Sequence, residues 1–339
     1  MQWSFDNFRE QGEIVLALRE QVIQGRLPHA LLITGAAGFG KKTLTDVIAA
    51  MLLCRKADSH PCGACRDCLL FENGEHPDVI RILAGQPLAP DGKKGRATIP
   101  VDDIREMIRL CSVRPLSGGH RVVQILEAEK MTPQAQNALL KTLEEPPEQT
   151  FFLLTASQTS GLLTTIISRC AQFRMKPWSD QMLLRTLRER GCPEERCMAA
   201  VALAGGSVGE AIRFAEDDES WQRFQEIQND FFCIDKRSDV LTRSGAWKDK
   251  KEEGPFLFSC LEYLVLSMLH LRLNVGSGSG FRTLPGWEGF VLHAGLDRFS
   301  FLLDQISLAR RQMQANVSFQ ALIEQLLFIL IGEREAWQK

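Results

Sequence analysis

Through the first half of the chain, short unbroken apolar runs alternate with stretches whose apolar residues recur every three or four positions. The run 29–34 (HALLIT) predicts a buried strand that passes directly into a Gly-rich turn, 35–40. After it, Leu44, Val47, Ile48, Met51 and Leu52 fall on one face of a predicted helix. A second strand is predicted at 79–83, followed by a helix marked by Val101, Ile104, Ile108 and Cys111. The run 122–126 (VVQIL) is a third strand. Thr132 then has the chemistry of an N-cap and Pro133 that of a first-turn proline. Their helix directs Ala135, Ala138, Leu139 and Leu143 inward until Pro146-Pro147 stops it. Strands at 151–155 and 170–175 complete the series. Strands alternating with helices in this way predict a parallel sheet covered by helices.

The pattern changes after Lys176-Pro177-Trp178, beyond which helical periodicity dominates and strand signals are few. Gly205-Gly206-Ser207 separates a small helical unit, 177–220, from a longer helical region, 221–339. Three domains are therefore expected, with the α/β domain at 1–176. Segments 91–96 (DGKKGR) and 276–281 (GSGSGF) read as Gly-rich loops.

Composition narrows the class. The 339 residues are 45% hydrophobic and 24% charged, the balance of a soluble globular protein. No run of roughly 20 continuous apolar residues suggests a membrane span, and the N-terminal segment lacks the basic-then-apolar order of a secretory signal. A cytoplasmic chain with no membrane partner is expected. The net charge of −2 argues against coating nucleic acid by bulk electrostatics, though not against local phosphate contacts.

The segment Gly35-Ala-Ala-Gly38-Phe-Gly40-Lys41-Lys42-Thr43 lies between a predicted strand and a predicted helix, where a phosphate loop belongs. In such a loop, backbone N–H groups cradle phosphates and the lysine reaches the outer ones. The bland alternative is a Gly-rich turn with no ligand. The next position departs from the pattern: Lys42 stands where a Ser or Thr hydroxyl would bind Mg²⁺. Thr43 is turned about 100° away on the helix and does not replace it. The acidic strand end fails too. Leu126 occupies the expected metal-ligand position, with Glu127 and Glu129 beyond it. Bound ATP or ADP remains compatible with this cradle, whereas hydrolysis is not expected.

Four of the ten cysteines, Cys54, Cys62, Cys65 and Cys68, fall within fifteen residues. Four thiolates suit a closed tetrahedral zinc site that staples an insertion after the phosphate-loop helix. An iron–sulfur cluster is the competing reading, but no fourth cysteine follows three residues later with a proline. His60 and His76 are not needed as ligands and are expected at the surface or in caps.

Asn137-Ala-Leu-Leu-Lys-Thr-Leu-Glu-Glu-Pro-Pro147, followed by Phe151-Phe-Leu-Leu154 and Ser168-Arg169-Cys170, resembles the bacterial DNA polymerase III clamp-loader family of AAA+ proteins. That family includes delta-prime and gamma/tau subunits, and the resemblance is specific over about 25–175. It implies an α/β AAA+ P-loop module, a small helical lid and an all-α collar. It also implies a hetero-pentameric ring with gamma/tau and delta partners that loads a sliding clamp onto primed DNA. In the family, an arginine from one subunit completes its neighbour's ATP site, and Arg169 matches that position. The alternative is that Arg169 pairs with a local carboxylate while Cys170 packs inside.

Lys42, Leu126 and Gly209, the last where an ATPase member carries a lid arginine, point to the delta-prime branch: a subunit that supplies Arg169 without hydrolysing ATP itself. A working ATPase of the gamma/tau type and a pure scaffold are the rivals. Glu144 and Glu145 look like a catalytic pair but read better as structural or interface charges at a helix end. Arg105, Arg109, Arg114 and Arg121, with Lys93, Lys94 and Arg96, offer either a basic face for DNA or a solvated, charge-balanced surface.

Overall fold

The computed structural model describes residues 4–56, 61–90, 95–117, 119–234, 236–273 and 284–337. The loop signals at 276–281 and most of 91–96, together with His60, Lys93 and Lys94, lie outside them. The chain divides into two compact units, Met1–Ser179 with Ser207–Gly209, and Asp180–Gly206 with Glu210–Lys339.

The first unit is built on five strands: β1 (Ala30–Thr34), β2 (Val79–Ile82), β3 (Arg121–Ile125), β4 (Thr150–Ala156) and β5 (Ala171–Arg174). They form one sheet in the order β2-β3-β4-β1-β5. Every pairing is parallel, with Leu32 opposite Leu154 and Ile33 opposite Phe173. A parallel sheet needs crossover helices, here α2 (Lys41–Leu53), α3 (Arg66–Glu72), α4 (Val101–Cys111), α5 (Pro133–Glu144) and α6 (Thr164–Arg169), while α1 (Glu13–Ile23) precedes the first strand.

Side chains alternate across each strand, so the two faces of the sheet separate cleanly. Leu32, Ile82, Val123, Ile125, Phe152 and Leu154 face the buried residues of α4, α5 and α6, among them Ile104, Met107, Leu139 and Ile166. The opposite face receives α2, which is buried along nearly its whole length. α5 starts as its cap chemistry predicts: the Thr132 hydroxyl accepts the Ala135 N–H, and Pro133 occupies the first turn. The strands lie within a residue or so of their predicted bounds, and the expected α/β fold followed by a helical region is what forms.

The face toward α2 carries an unexpected polar network. Gln124, fully buried in mid-strand, donates to Asp46 Oδ1 at 2.8 Å and Thr45 Oγ1 at 3.2 Å. It accepts from Arg81 Nε at 2.9 Å, and Arg81 also pairs with Asp46. Each buried polar group thus gains a partner, which offsets its desolvation. This network fixes the rotation of α2 against the sheet.

The second unit is helical: α7 (Asp180–Glu189), α8 (Glu194–Leu203), α9 (Val208–Glu216, whose first two residues belong to the first unit), α10 (Asp218–Phe232), α11 (Val240–Ala246), α12 (Gly254–Arg272), α13 (Glu288–His293), α14 (Leu296–Gln314) and α15 (Phe319–Ala336). The stretch Lys251–Arg272 is long and apolar enough by length and composition to cross a membrane, though it is not a continuous apolar run, and half of its apolar window is buried. It is the core helix of this unit. Leu257, Leu261, Leu264 and Val265 pack inside it, and α14 lies alongside. Trp247 and Trp287 are fully buried and each indole N–H is satisfied, by Asp230 Oδ2 and the Phe232 carbonyl.

Candidate functional site

β1 ends at Thr34 and the chain turns through Gly35, Gly38 and Gly40 before α2 begins. Gly38 and Gly40 have φ of 72° and 92°, a region that L side chains rarely adopt. Gly35 is favoured for a second reason: a Cβ there would lie 3.1 Å from Met175 Cβ, so Met175 would have to give way. The unpaired N–H groups at the start of α2 and the Lys41 ammonium are therefore assembled where an anion could sit.

The side chains around this cradle are already engaged with the protein. Lys41 Nζ donates to the carbonyls of Gly35 at 2.6 Å and Ala36 at 2.8 Å. Burial lowers its pKa, while Glu129 and Glu127 pull in the opposite direction. Lys42 is exposed at the Mg²⁺-hydroxyl position, and Leu126, 4% exposed, offers no oxygen at the strand end. Glu127 takes a left-handed backbone, gives its N–H to Thr155 Oγ1 and pairs with Lys130 at 2.9 Å. Glu129 Oε1 accepts the Ser157 N–H at 2.8 Å. The residues present do not fit Mg²⁺ held in the usual P-loop manner.

Sequence reading missed how the loop is tied from outside. Ser207 Oγ donates to the Ala37 carbonyl at 3.0 Å, and the Gly209 N–H donates to the Gly38 carbonyl at 2.9 Å. The Trp178 indole N–H donates to the Phe39 carbonyl at 2.9 Å. With Lys41 on Gly35 and Ala36, five consecutive carbonyls are occupied. A Cβ on Gly209 would lie 2.8 Å from Gly38 Cα, so only glycine permits this approach. The glycine at 209 was visible in the sequence; the contact it makes was not.

At the other end of α2, Cys54 caps the helix, and Cys62, Cys65 and Cys68 come back to it. All four sulfurs lie within 4.8 Å of one another, and the Cys54–Cys65 and Cys62–Cys68 pairs are 3.9 Å apart. A tetrahedral ion with metal–sulfur bonds of about 2.3 Å sets its sulfurs about 3.8 Å apart, so the donor set fits. The N–H groups of Cys62, Cys65 and Cys68 point to the sulfurs of Cys54, Cys62 and Cys65 at 3.3–3.4 Å. Such donors favour thiolate, and the Cys62 pKa is lowered to about 6, first by the Ala64 N–H. Burial pushes Cys54 and Cys68 upward. This cluster can hold a metal ion.

His76, expected at the surface or in a cap, is buried. Its Nδ1 accepts the Asp78 N–H at 3.1 Å, which places the proton of the neutral ring on Nε2. That nitrogen faces Asp67 Oδ1 at 3.6 Å, and Asp67 also pairs with Arg55 at 3.1 Å. Both carboxylate contacts lie beside the cysteine cluster, since Asp67 stands between Cys65 and Cys68 and Arg55 follows Cys54.

Arg169 ends α6. Its Nη1 donates to the Thr165 carbonyl at 3.0 Å, and its Nη2 pairs with Glu144 at the end of α5. The side chain is 31% exposed, Nε is buried without a partner, and Cys170 is buried. The local-carboxylate alternative thus describes the chain by itself. The basic set dissolves into pairs: Arg105 with Asp102, and Arg109 with Glu106. Arg121 is buried against Asp78 and the Leu110 and Val113 carbonyls, so it is no surface contact. Arg114 is exposed.

A family model described as DNA polymerase III, delta subunit, matches residues 10–179. DNA polymerase III subunit delta' of Escherichia coli (strain K12) is 38% identical over 200 residues, 58% of this chain and 57% of that protein. The counterpart from Bacillus subtilis (strain 168) is 25% identical over 326 residues, covering 94% and 96% of the two chains. DNA polymerase III subunit tau of Escherichia coli is 32% identical over 213 residues, 61% of this chain and 31% of that one. The aligned stretches span only 51–64% of the first four delta' relatives.

Proposed function

The chain belongs to the DNA polymerase III delta-subunit family, and on that premise we propose that it is a clamp-loader subunit that does not hydrolyse ATP but completes the ATP site of a neighbour. Its expected companions are gamma/tau and delta subunits in a hetero-pentameric ring that places a sliding clamp on primed DNA in the cytoplasm. Segment 177–220 is the proposed lid and 221–339 the collar that joins the ring.

The observation that carries this reading is the double loss at the metal positions. Lys42 brings a cation where Mg²⁺ needs a hydroxyl, and buried Leu126 replaces its carboxylate. Glu127 and Glu129 do not compensate, because each already serves a neighbouring donor. Without the metal, charge developing between the outer phosphates lacks its divalent counter-ion, and a P-loop alone gives little hydrolysis. ATP or ADP could still be held by Gly35, Gly38, Gly40 and the N–H groups of Lys41, Lys42 and Thr43, if Lys41 leaves its two carbonyls.

Arg169 is the residue proposed to act on the neighbour. A guanidinium near the transferred phosphate stabilises the charge that spreads over its oxygens, worth roughly 10³–10⁵ in rate where measured in other NTPases. The Cys54, Cys62, Cys65 and Cys68 cluster is proposed to hold structural Zn²⁺, with no open position for catalysis.

The deciding experiment is ATP turnover by a reconstituted loader carrying wild-type chain or Arg169→Ala, with the isolated chain as control. A silent isolated chain and a clear loss in the mutant complex support the proposal. Turnover by the isolated chain would make this a gamma/tau-type ATPase. An unaffected mutant complex would leave a scaffold.

A further inference from the structure

We propose that Glu144 is the positioning residue for Arg169, an inference that rests on the trans-acting role proposed for that arginine. The two residues close the C-terminal ends of α5 and α6, 25 positions apart in sequence, and their side chains meet in an ion pair.

Glu144 is in an unfavourable place for a carboxylate. The C-terminus of a helix carries partial negative charge, so an acid there is mildly destabilising, by about 0.3–1 kcal/mol. Helix stability therefore does not explain it. Arg169 needs Glu144 for a different reason. As the last residue of a six-residue helix, it has a long side chain with little to restrain it. Three observations show where it goes. Nη1 is fixed on the Thr165 carbonyl, Nη2 is fixed on Glu144, and Nε is buried. The guanidinium plane is thus set from two sides, while roughly a third of the side chain stays open to solvent.

Each terminal nitrogen carries two N–H donors, and the contacts found use one from each. The remaining donor on each is the one proposed for an incoming phosphate. Such a contact adds to the Glu144 pair and need not displace it. The carboxylate also opposes the cost of ordering the side chain before the neighbour arrives, and that is how a preorganised electrostatic group gains its effect. Because the pair is half exposed, it is weak and contributes little to stability, so its removal should be felt chiefly in rate.

The test uses the full reconstituted loader with clamp and primed DNA, measuring kcat and KM for ATP. The set is wild type, Glu144→Ala, Glu144→Gln, Arg169→Ala and Glu144→Ala with Arg169→Ala. We expect Glu144→Ala to lower kcat about threefold or more toward the Arg169→Ala level with little change in KM. Glu144→Gln, whose amide oxygen can still accept one N–H, should fall between it and wild type. The double variant should be no worse than Arg169→Ala. A wild-type kcat for Glu144→Ala beside an impaired Arg169→Ala complex removes Glu144 and leaves the arginine's role standing. A kcat raised by Glu144→Ala means that the carboxylate sequesters the arginine, and overturns the proposal. Additive losses in the double variant overturn it as well, since they place Glu144 outside Arg169's action. An unimpaired Arg169→Ala complex overturns both readings together. Should Glu144→Ala fail to fold, the graded loss in the isosteric Glu144→Gln decides alone.

Discussion

The two ends of α2 carry two ligand motifs of opposite fate. At its start, the phosphate loop has the glycines, the helix N-terminus and Lys41, with Lys42 and buried Leu126 at the two positions where a metal would need a side-chain oxygen. At its finish, Cys54 and the three cysteines that return to it keep both the geometry and the donor atoms. Only about 20 Å of helix separates them, at 1.5 Å per residue. The difference shows that a loop shape and the side chains of a metal site are separable. A loop can stay folded because the protein finds other uses for its carbonyls, as Lys41, Ser207, Gly209 and Trp178 do here. Four sulfurs have no comparable second use, so their preserved arrangement is stronger evidence for a ligand.

The largest expected effect breaks the metal end. Cys65→Ser should abolish bound zinc, measured by elemental analysis at one ion per wild-type chain, and should lower stability by about 3 kcal/mol or more. Chelation of the wild type should reproduce that loss in a thermal melt. A wild type free of zinc with an unchanged melt after chelation would remove the contrast between the two ends of the helix.

At the loop end, Gly209→Ala separates two opposed terms. In an open helical site, Gly→Ala adds about 0.5–1 kcal/mol, and Gly332, with no atom near its would-be Cβ, should show that gain. At Gly209 the new methyl meets Gly38 Cα at 2.8 Å, and neither backbone can yield cheaply. A net loss of about 1–2 kcal/mol is expected, with faster amide exchange across 35–40. Stabilisation at both glycines would mean that the contact over the loop does not hold in solution.

Restoring the lost ligands sharpens the comparison from the other side. Lys42→Thr with Leu126→Asp should make ATP binding depend on Mg²⁺, by about tenfold or 1.4 kcal/mol. The new aspartate is buried without a partner until metal arrives, so the variant should also melt earlier without Mg²⁺ and recover with Mg²⁺ and ATP. Equal affinity with and without Mg²⁺ would show that more than two side chains separate this loop from a working one.

How much of this was legible follows from what kind of interaction each element uses. β1, the loop and α2 were readable because an apolar run, three glycines and a 3.6-residue period are local signals. α5 was readable from Thr132 and Pro133, whose capping chemistry acts within three residues. The four cysteines were readable because few other arrangements bring four donors so close in sequence. Contacts between polar residues on distant elements left no such trace. Gln124 sits in a run that reads as purely buried, yet it anchors Asp46 and Arg81. Arg121, placed with the surface cations, is buried on Asp78, whose carboxylate also accepts the Leu116 and Ser117 N–H groups. The burial of His76 and the tie from Ser207 are of the same kind; for Arg169 the sequence offered a local carboxylate partner without saying which, and Glu144 fills that place. Each depends on packing that sets two remote side chains together, and sequence period does not encode it.

The smallest expected effect concerns Lys41 and tests whether its ammonium belongs to the fold or to an absent phosphate. Burial lowers its pKa from 10.5, with Glu129 and Glu127 opposing. Between that lowered value and 10.5, the unfolded chain holds more protons at this site than the folded one. Stability at this site therefore rises with pH across the window, and the cost of keeping the buried ammonium charged is fully present below it. Lys41→Met should show a flatter stability profile over the same range, read from urea melts in parallel with wild type. If its profile tracks the wild type, the two carbonyl bonds balance the desolvation, and Lys41 is as well placed in the closed loop as it would be on a nucleotide. A flattened profile means the reverse: the lysine stays in the loop at a cost, and the loop end of α2 retains one piece of ligand chemistry that the fold itself does not need.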